Sequence, residues 1–191
     1  MRASQFVLLK ALLIFVTAFS YFSTSAQLQA DFTATPQSGC APLIVIFSDQ
    51  STGNPTSWKW DLGNGTITNN HNPSTTYFNP GVYKVKLTIS DGSTTDSIIK
   101  ISFITVYDKP LVDFSASDTS GCFPLNVNFT DNSTAGSGTI ASWTWDFGDG
   151  NNDTLKNVTH TYITPGLFDI TLIVINSFGC KSALTKSDLI K

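Results

Sequence analysis

The chain has 191 residues, a formal net charge of −3 and only 13% charged residues, while 41% of its residues are hydrophobic. No cluster of lysine and arginine occurs after residue 26, so nucleic acids and anionic membrane surfaces are not expected partners. The chain has two histidines and neither the Gly-x-Ser-x-Gly nor the His-Glu-x-x-His motif of common hydrolases. An enzyme is therefore not predicted.

Residues 1–26 have the layout of a secretory signal peptide. Arg2 and Lys10 supply a basic start, Ala11–Phe22 is largely apolar, and small residues lead up to Ala26. The apolar run is shorter than the roughly 20 residues that a membrane-spanning helix needs. We expect cleavage after Ala26 and a mature chain that is secreted, periplasmic or on the cell surface, without insertion into a membrane.

The rest of the chain contains a repeat. Asp31–Ala34 (DFTA) corresponds to Asp113–Ala116 (DFSA), and Gly39–Leu43 (GCAPL) corresponds to Gly121–Leu125 (GCFPL), both at an offset of 82 residues. Two motifs that recur at one offset indicate two copies of a module. We expect the two copies to share one fold.

Farther along the chain the offset becomes 85 residues. Trp60–Gly65 (WDLGNG) corresponds to Trp145–Gly150 (WDFGDG), and Tyr77 corresponds to Tyr162. The three extra residues of the second copy lie within 132–142, which is rich in Ser, Thr and Gly. An insertion confined to one loop is expected where the surrounding strands are equivalent.

Each copy contains about seven short apolar-alternating runs separated by turn residues, a pattern typical of an all-β sandwich. The clearest run is Tyr83–Ile89, in which every second residue is apolar and would face the core. In the second copy, the outward positions of the equivalent run carry Leu167, Ile173 and Ile175. We expect neighbouring side chains to cover these residues, with a binding surface as the alternative.

The repeat sets the domain bounds. We expect the first domain at residues 30–107 and the second at residues 111–191. The linker is Tyr107–Pro110 (YDKP), and so short a segment with a proline cannot act as a flexible tether. The two domains are expected to sit end to end as a semi-rigid rod.

These motifs resemble the PKD repeat, an immunoglobulin-like module of bacterial surface and secreted proteins. The second copy carries the signature of that family at Trp145–Gly150 and Thr159–Tyr162 (THTY). The first copy departs from it at Leu62, at Asn64, and at Thr75 where the histidine would stand. The resemblance covers both copies and implies two immunoglobulin-like β-sandwiches in tandem. It also implies a non-catalytic spacer, adhesion or accessory role.

We expect the signature residues to shape the fold. The first aspartate of the motif should accept backbone N–H groups of the turn, and its glycines should adopt positive φ. His160 is expected to make a structural hydrogen bond at a strand edge. The signature residues are Trp60, Asp61, Gly63, Gly65 and Tyr77 in the first copy, and Trp145, Asp146, Gly148, Asp149, Gly150, His160 and Tyr162 in the second.

A calcium loop is the alternative for the acidic residues of this turn. Asp146, Asp149 and Asp153 lie in a glycine-rich stretch, and calcium takes several oxygen ligands on flexible loops. Their spacing matches no EF-hand loop, however, and Asn64 replaces Asp149 in the first copy. We expect no cofactor, with calcium as the alternative.

Three cysteines remain to be paired. In an immunoglobulin-like sandwich, Cys122 and Cys180 would lie at opposite ends, beyond disulfide reach. In an end-to-end tandem, Cys40 would instead face Cys180 across the joint, and Ser93 would take the place of Cys180 in the first copy. The favoured pairing is therefore Cys40–Cys180, and the alternative is Cys122–Cys180. In the favoured pairing Cys122 awaits a third module, so we expect a longer protein.

These features predict a class of function and leave the protein or glycan partner open. We expect an extracellular, non-catalytic tandem module that acts as a spacer, an adhesion unit or a protein–protein interaction unit at the cell surface. The alternative is a pair of carbohydrate-binding accessory domains of a secreted hydrolase. Sugar binding uses exposed aromatic rings, whereas we expect all four tryptophans, Trp58, Trp60, Trp143 and Trp145, to face the core.

Overall fold

The structure of the chain is a computed structural model that describes residues 27–191. The signal peptide expected at residues 1–26 lies outside the described residues. Residues 28–107, which we call module 1, and residues 111–191, which we call module 2, each fold around their own hydrophobic core. Between residues 27 and 191, no helix is long and apolar enough to cross a membrane.

Module 1 consists of two facing sheets built from eight strands. The strands are β1 (Phe32–Thr35), β2 (Ser38–Cys40), β3 (Leu43–Asp49), β4 (Ser57–Asp61), β5 (Ile67–Thr68), β6 (Ser74–Tyr77), β7 (Gly81–Ser90) and β8 (Thr95–Tyr107). One sheet has the order β1-β3-β6 and the other the order β2-β8-β7-β4-β5. Pairing is antiparallel except between β2 and β8, which run parallel.

Module 2 repeats this plan with seven strands. They are β9 (Phe114–Ala116), β10 (Leu125–Asp131), β11 (Ile140–Asp146), β12 (Asn152–Asp153), β13 (Val158–Tyr162), β14 (Phe168–Asn176) and β15 (Lys181–Ile190). The sheets have the orders β13-β10-β9 and β12-β11-β14-β15. Each strand has a counterpart in module 1, where β2 is the additional strand.

One tryptophan forms the centre of each core. Trp60 is fully buried and its ring centroid lies 5.1 Å from that of Phe32 and 5.7 Å from that of Phe47. Such offset and edge-on aromatic contacts stabilise a core beyond the area that they bury. The equivalent group in module 2 consists of Phe114, Phe129 and Trp145.

All four tryptophans contact a core, as expected, but they differ in how far they are buried. Trp60 and Trp145 are fully buried, but Trp58 and Trp143 are only partly buried at the margin of each core. The indole N–H of Trp58 donates a 2.8 Å hydrogen bond to Asp49, and Trp143 makes the corresponding bond in module 2. Asp49 and Asp131 are the last residues of β3 and β10, so both rings lie at the end of a strand of the facing sheet.

A lysine of the last strand holds the first strand of each module. Nζ of Lys100 lies 2.8 Å from Oδ1 of Asp31 and 4.6 Å from the ring centroid of Phe32. Lys186 repeats both kinds of contact in module 2, with its Nζ 3.1 Å from Asp113. The ion pair therefore ties the two sheets of each sandwich at one edge.

The apolar outer side of β14 is partly covered. Ile173 and Ile175 are half-buried, whereas Leu167, which precedes the strand, is 65% exposed. The expected cover by neighbouring side chains is thus found for the two isoleucines only. On the inner face of the same strand, Leu172 and Val174 are fully buried, as the alternating pattern predicts.

Candidate functional site

Residues 146–150 of module 2 and 61–65 of module 1 form equivalent turns, which we call the signature turns. The first aspartate of each turn stabilises it. Oδ1 of Asp146 accepts the backbone N–H of Gly148 at 3.0 Å, and Asp61 accepts that of Gly63 at the same distance. Gly148 has a φ of 75°, and a Cβ at this position would lie 2.6 Å from the carbonyl oxygen of Asp169. Only glycine fits a position that has both positive φ and so close a backbone neighbour. The aspartate and the glycine are thus committed to the turn.

A buried tyrosine closes the turn from the opposite sheet. The hydroxyl of Tyr162 donates to the carbonyl oxygen of Phe147 at 3.1 Å, and Tyr77 donates to that of Leu62 at 2.6 Å. Burial raises the pKa of both phenols. Each hydroxyl therefore stays protonated and serves as a donor to the backbone.

The sequence differences between the two turns are linked. In module 2, Asp149 lies 2.8 Å from Nε2 of His160, whose ring stacks on Phe147 with centroids 4.2 Å apart. In module 1, Asn64 takes the place of the aspartate and donates a 3.1 Å hydrogen bond to Thr75, which takes the place of the histidine. Both members of the pair differ together, and the hydrogen bond across the turn is kept.

The environment of Asp149 favours its charged form. Burial by itself would raise the pKa of this carboxyl, but hydrogen bonds from His160 and Asn151 outweigh burial and lower it. His160 lies on β13, an edge strand, and its ring is enclosed by Phe147 and Tyr162. The hydrogen bond between Asp149 and His160 is therefore placed to stabilise the fold, as expected of a structural contact.

The three carboxylates considered for calcium serve different parts of the loop. Asp146 accepts a turn N–H, Asp149 pairs with His160, and Asp153 accepts the N–H of Leu155 at 2.8 Å. Within residues 27–191, no three His, Cys, Asp or Glu side chains are grouped so that they could hold a metal ion. Each of the three carboxylates therefore forms a hydrogen bond that stabilises the loop or its contact with β13.

The two modules are joined covalently. Sγ of Cys40 is bonded to Sγ of Cys180 at 2.06 Å, and the two Cα atoms are 5.5 Å apart. This is the pairing favoured above over Cys122–Cys180. Cys180 is fully buried, while Cys122 is exposed and is the free cysteine of residues 27–191.

Strand β2 places Cys40 beside the exit of module 1. The strand runs parallel to the end of β8, so that Cys40 is paired with Tyr107. The N–H of Ala41 donates to the carbonyl oxygen of Tyr107 at 2.9 Å. The chain enters the linker at this residue, which brings Cys40 next to the first contacts with module 2.

An aromatic stack and an inserted loop enclose the linker. The rings of Tyr107 and Phe178 are parallel within 7°, with centroids 3.9 Å apart. The N–H of Asp108 donates to Oγ of Ser137 at 2.8 Å. Ser137 belongs to residues 132–142, the stretch that holds the three extra residues of the second copy. The insertion therefore contributes to the joint.

Comparison with known protein families supports two modules in tandem. A family model described as PKD domain matches residues 25–106 and 107–191, which is nearly the whole chain. The chain belongs to the PKD domain family. Its two modules are immunoglobulin-like β-sandwiches, and PKD domains are generally non-catalytic accessory modules.

Solved PKD domains are similar to one module at a time. The PKD1 domain of Vibrio anguillarum Epp is 21% identical, with a TM-score of 0.39, over 44% of this chain and 96% of that chain. The PKD1 domain of the Vibrio cholerae metalloprotease PrtV is 25% identical, with a TM-score of 0.38, over 44% of this chain and 98% of that chain.

A buried asparagine of the second PKD module, which the sequence analysis missed, orders the joint. Asn176 is 2% exposed, and its Nδ2 donates to the carbonyl oxygens of Asp108 at 3.0 Å and Ala135 at 3.1 Å. Its Oδ1 accepts the N–H of Cys180 at 2.9 Å. The side chain of Asn176 thus connects the linker, the inserted loop and the turn between β14 and β15, which contains Cys180. Nothing in the repeat marks this residue, because module 1 has Asp91 at the same place.

The equivalence of Ser93 with Cys180 is wrong. The N–H of Asn176 donates to the carbonyl oxygen of Cys180, and the N–H of Asp91 donates to that of Thr94. Thr94 is therefore the counterpart of Cys180 in the first PKD module. The turn of module 2 is one residue longer, so the offset between equivalent residues rises from 85 at Asn176 to 86 at Cys180.

The first PKD module also carries an open cleft of about 680 Å³. The half-buried ring of Trp58 forms part of its wall and packs against His71, with centroids 4.2 Å apart. Asn69 and Asn70 also line the cleft. An aromatic ring beside hydrogen-bonding amides is an arrangement suited to a polar organic ligand.

Proposed function

We propose that this chain is an extracellular, non-catalytic pair of PKD modules that acts as a stiff spacer and presents a protein-binding surface at the cell surface. The observation that carries the proposal is the Cys40–Cys180 disulfide across the joint. Disulfides persist in oxidising compartments outside the cytoplasm, and PKD domains typically occur in extracellular bacterial proteins. Both facts support secretion of the chain.

Three kinds of contact support a stiff joint. The disulfide closes a loop of 140 residues, which in the chain-entropy model stabilises the folded chain by about 5 kcal/mol. The Tyr107–Phe178 stack resists rotation about the linker. The hydrogen bonds of Asn176 and Ser137 to the linker backbone hold it against module 2. A change in the angle between the modules would break several of these contacts at once.

The outer face of β3 supports a protein-binding role for module 1. Ile44 is 65% exposed and Ile46 is 53% exposed. The equivalent residues of module 2 are Asn126 and Asn128, which keep the corresponding face polar. Exposed apolar side chains on one face are typical of protein interaction sites. Module 1 is therefore the better candidate for presenting a contact surface.

Small-angle X-ray scattering of the mature chain tests the spacer function. We expect one arrangement of the two modules to account for the scattering of the wild type and of Cys122→Ser, the matched control. The double variant Cys40→Ser/Cys180→Ser should require a broader range of arrangements. If the wild type itself requires a broad range, the chain is not a stiff spacer.

A pull-down from culture supernatant and envelope extract tests the protein-binding role. Ile44→Asn/Ile46→Asn gives module 1 the residues of module 2 without altering the core. We expect the wild type to retain a partner that this variant loses. A partner retained equally by both proteins would exclude the β3 face as its binding surface.

Glycan binding in the cleft beside Trp58 is a second candidate function. The observation that favours it is that partly buried Trp58 lines the same cleft as Asn69 and Asn70, since sugars stack on aromatic rings and bond to amides. A glycan array followed by calorimetry tests it. Binding should be lost in Trp58→Ala and kept in Trp143→Ala, the equivalent change in module 2. Failure of the wild type to bind any glycan class removes this candidate.

A further inference from the structure

Cys122 occupies in module 2 the place that Cys40 occupies in module 1. A Cβ added to Gly39 would lie 2.6 Å from Cδ1 of Leu43, and one added to Gly121 would lie 2.8 Å from Cδ1 of Leu125. At both positions, a leucine at the start of the strand that follows leaves no room for a side chain. Yet Cys40 is bonded to the next module, whereas Cys122 is an exposed thiol.

The chain also leaves both modules along the same path. In module 1, the N–H of Thr105 donates to the carbonyl oxygen of Gln37 at 2.9 Å. In module 2, the N–H of Lys191 donates to that of Thr119 at 2.9 Å, and Thr119 is the counterpart of Gln37 in the repeat. In module 1, two further residues bring the chain from Thr105 to Tyr107, beside Cys40. Lys191 therefore occupies in module 2 the place of Thr105 in module 1, two residues before the position that lies beside the Gly-Cys segment.

The residues of module 2 that contact the module before it have no equivalents of the same kind in module 1. Module 2 has Cys180, Phe178 and Asn176 in its last turn. At the same place in module 1, the carboxylate of Asp91 accepts the N–H groups of the turn itself, including that of Thr94 at 2.7 Å. The joint therefore has a direction. The Gly-Cys segment of one module (Gly39-Cys40 in module 1) contacts the turn between the last two strands of the next module (176–180 in module 2).

We propose that Cys122 forms a second covalent joint, in which a further PKD module connected through Lys191 docks on module 2 as module 2 docks on module 1. The partner should carry a cysteine in the turn between its last two strands. This inference rests on the proposed spacer function, because it extends the same stiff joint by one module.

A second copy of this chain is not the occupant. The chain has three cysteines, and Cys40 and Cys180 are bonded to each other. A second copy offers only its own Cys122, so the two chains would meet through identical turns. That contact differs from the observed joint, in which a Gly-Cys segment faces a last turn that contains cysteine.

The chemistry of the proposed bond is that of the first joint. Cys122 and the partner cysteine each lose one proton and one electron as their sulfur atoms join. A protein disulfide oxidant accepts the two electrons, and its own disulfide is reduced to two thiols. The exposed position of Cys122 allows such an oxidant to reach it.

Peptide mapping tests the proposal in the protein isolated from the cells that produce it. Free thiols are first blocked with N-ethylmaleimide, and the protein is then digested without reduction. We expect the Cys122 peptide to be joined to a peptide of another PKD module in the same polypeptide, so that reduction releases no second chain. A blocked Cys122, a Cys122–Cys122 dimer or a link to a separate chain would each overturn the proposal. The Cys40–Cys180 peptide in the same digest reports separately on the joint that the spacer function requires.

An extended chain gives a second test. Appending a copy of residues 106–191 directly after Lys191 keeps the register of the first joint, because Lys191 stands in the place of Thr105. We expect one reactive thiol per molecule, that of the Cys122 copy in the appended module. With Cys122→Ser in the original module, the appended Cys180 copy should become reactive as well. If Cys122 in the extended chain reacts as fast as in the chain without the extension, the proposal is wrong.

Discussion

Asp149 and His160 form a 2.8 Å hydrogen bond that joins the signature turn to an edge strand of module 2. The same place in module 1 holds Asn64 and Thr75, with a hydrogen bond of 3.1 Å. Two different pairs of side chains thus make one connection, and the two modules of the chain provide matched controls for each other.

The first prediction concerns the coupling of this pair. Asp149→Asn removes the charge from the hydrogen bond to His160, and His160→Thr puts a shorter side chain opposite Asp149. The double variant recreates the pair of module 1 and should be more stable than the sum of the single effects implies, by about 1 kcal/mol. Amide hydrogen exchange of module 2 measures this difference without interference from module 1. Strictly additive effects would show that the two side chains act independently.

The second prediction concerns how the stability contributed by Asp149 depends on pH. Hydrogen bonds lower the pKa of folded Asp149 below its ordinary value of 3.8, despite the opposing effect of burial. A lowered pKa contributes stability that is present above the unfolded value and is lost as the pH falls through the folded one. The stability advantage of the wild type over Asp149→Asn should therefore shrink below about pH 4. Chemical denaturation at pH 7 and at pH 3 measures it, and a gap of constant size would contradict the prediction.

The third prediction compares the two central tryptophans. The indole N–H of Trp145 donates to the carbonyl oxygen of Leu155 at 2.9 Å, whereas that of Trp60 has no hydrogen-bond partner among residues 27–191. Replacement by phenylalanine removes a similar volume in both modules. Trp145→Phe should therefore cost module 2 about 1 kcal/mol more than Trp60→Phe costs module 1. Hydrogen exchange resolved by module is the measurement, and equal costs would refute the argument.

The fourth prediction concerns the joint. Asn176→Asp keeps the size of the side chain and gives module 2 the residue of module 1, but it turns a donor into an oxygen that faces the carbonyls of Asp108 and Ala135. We expect a cost of about 1–3 kcal/mol at the joint and faster proteolysis within residues 107–110. Asn72→Asp, on the surface of module 1, is the control. Unchanged cleavage of the linker would show that Asn176 does not order it.

The fifth prediction separates two glycines of one turn. Both Gly148 and Gly150 have positive φ, but a Cβ at Gly150 would have no heavy atom within 4 Å, while one at Gly148 would meet a backbone oxygen at 2.6 Å. Gly150→Ala should cost about 1–2 kcal/mol for the backbone conformation alone. Gly148→Ala should cost more, because the turn must also move away from Asp169. Thermal unfolding of the two variants decides the order.

Much of the fold could be predicted from local patterns. The period of two along Tyr83–Ile89 indicates which residues face the core, because successive side chains of a strand point to opposite faces. The same reasoning placed Trp58 correctly on the inner face but could not tell how much of the ring is covered. The buried fraction of the Trp58 ring depends on where the opposite sheet ends. The residues next to Trp58 in the sequence do not specify that position.

The amino-acid sequence by itself determined the two-module frame, the signature turns and the tandem order, because each arises from spacings within a few residues or from a repeat along the chain. The repeat also favoured Cys40 and Cys180 as partners across the joint, but only the tertiary structure decided which other groups meet there. Asn176 bonds to a carbonyl 68 residues earlier in the chain, and the insertion within 132–142 reads from the sequence as a variable loop. Contacts of this range depend on how two folded modules are placed, which no local pattern specifies.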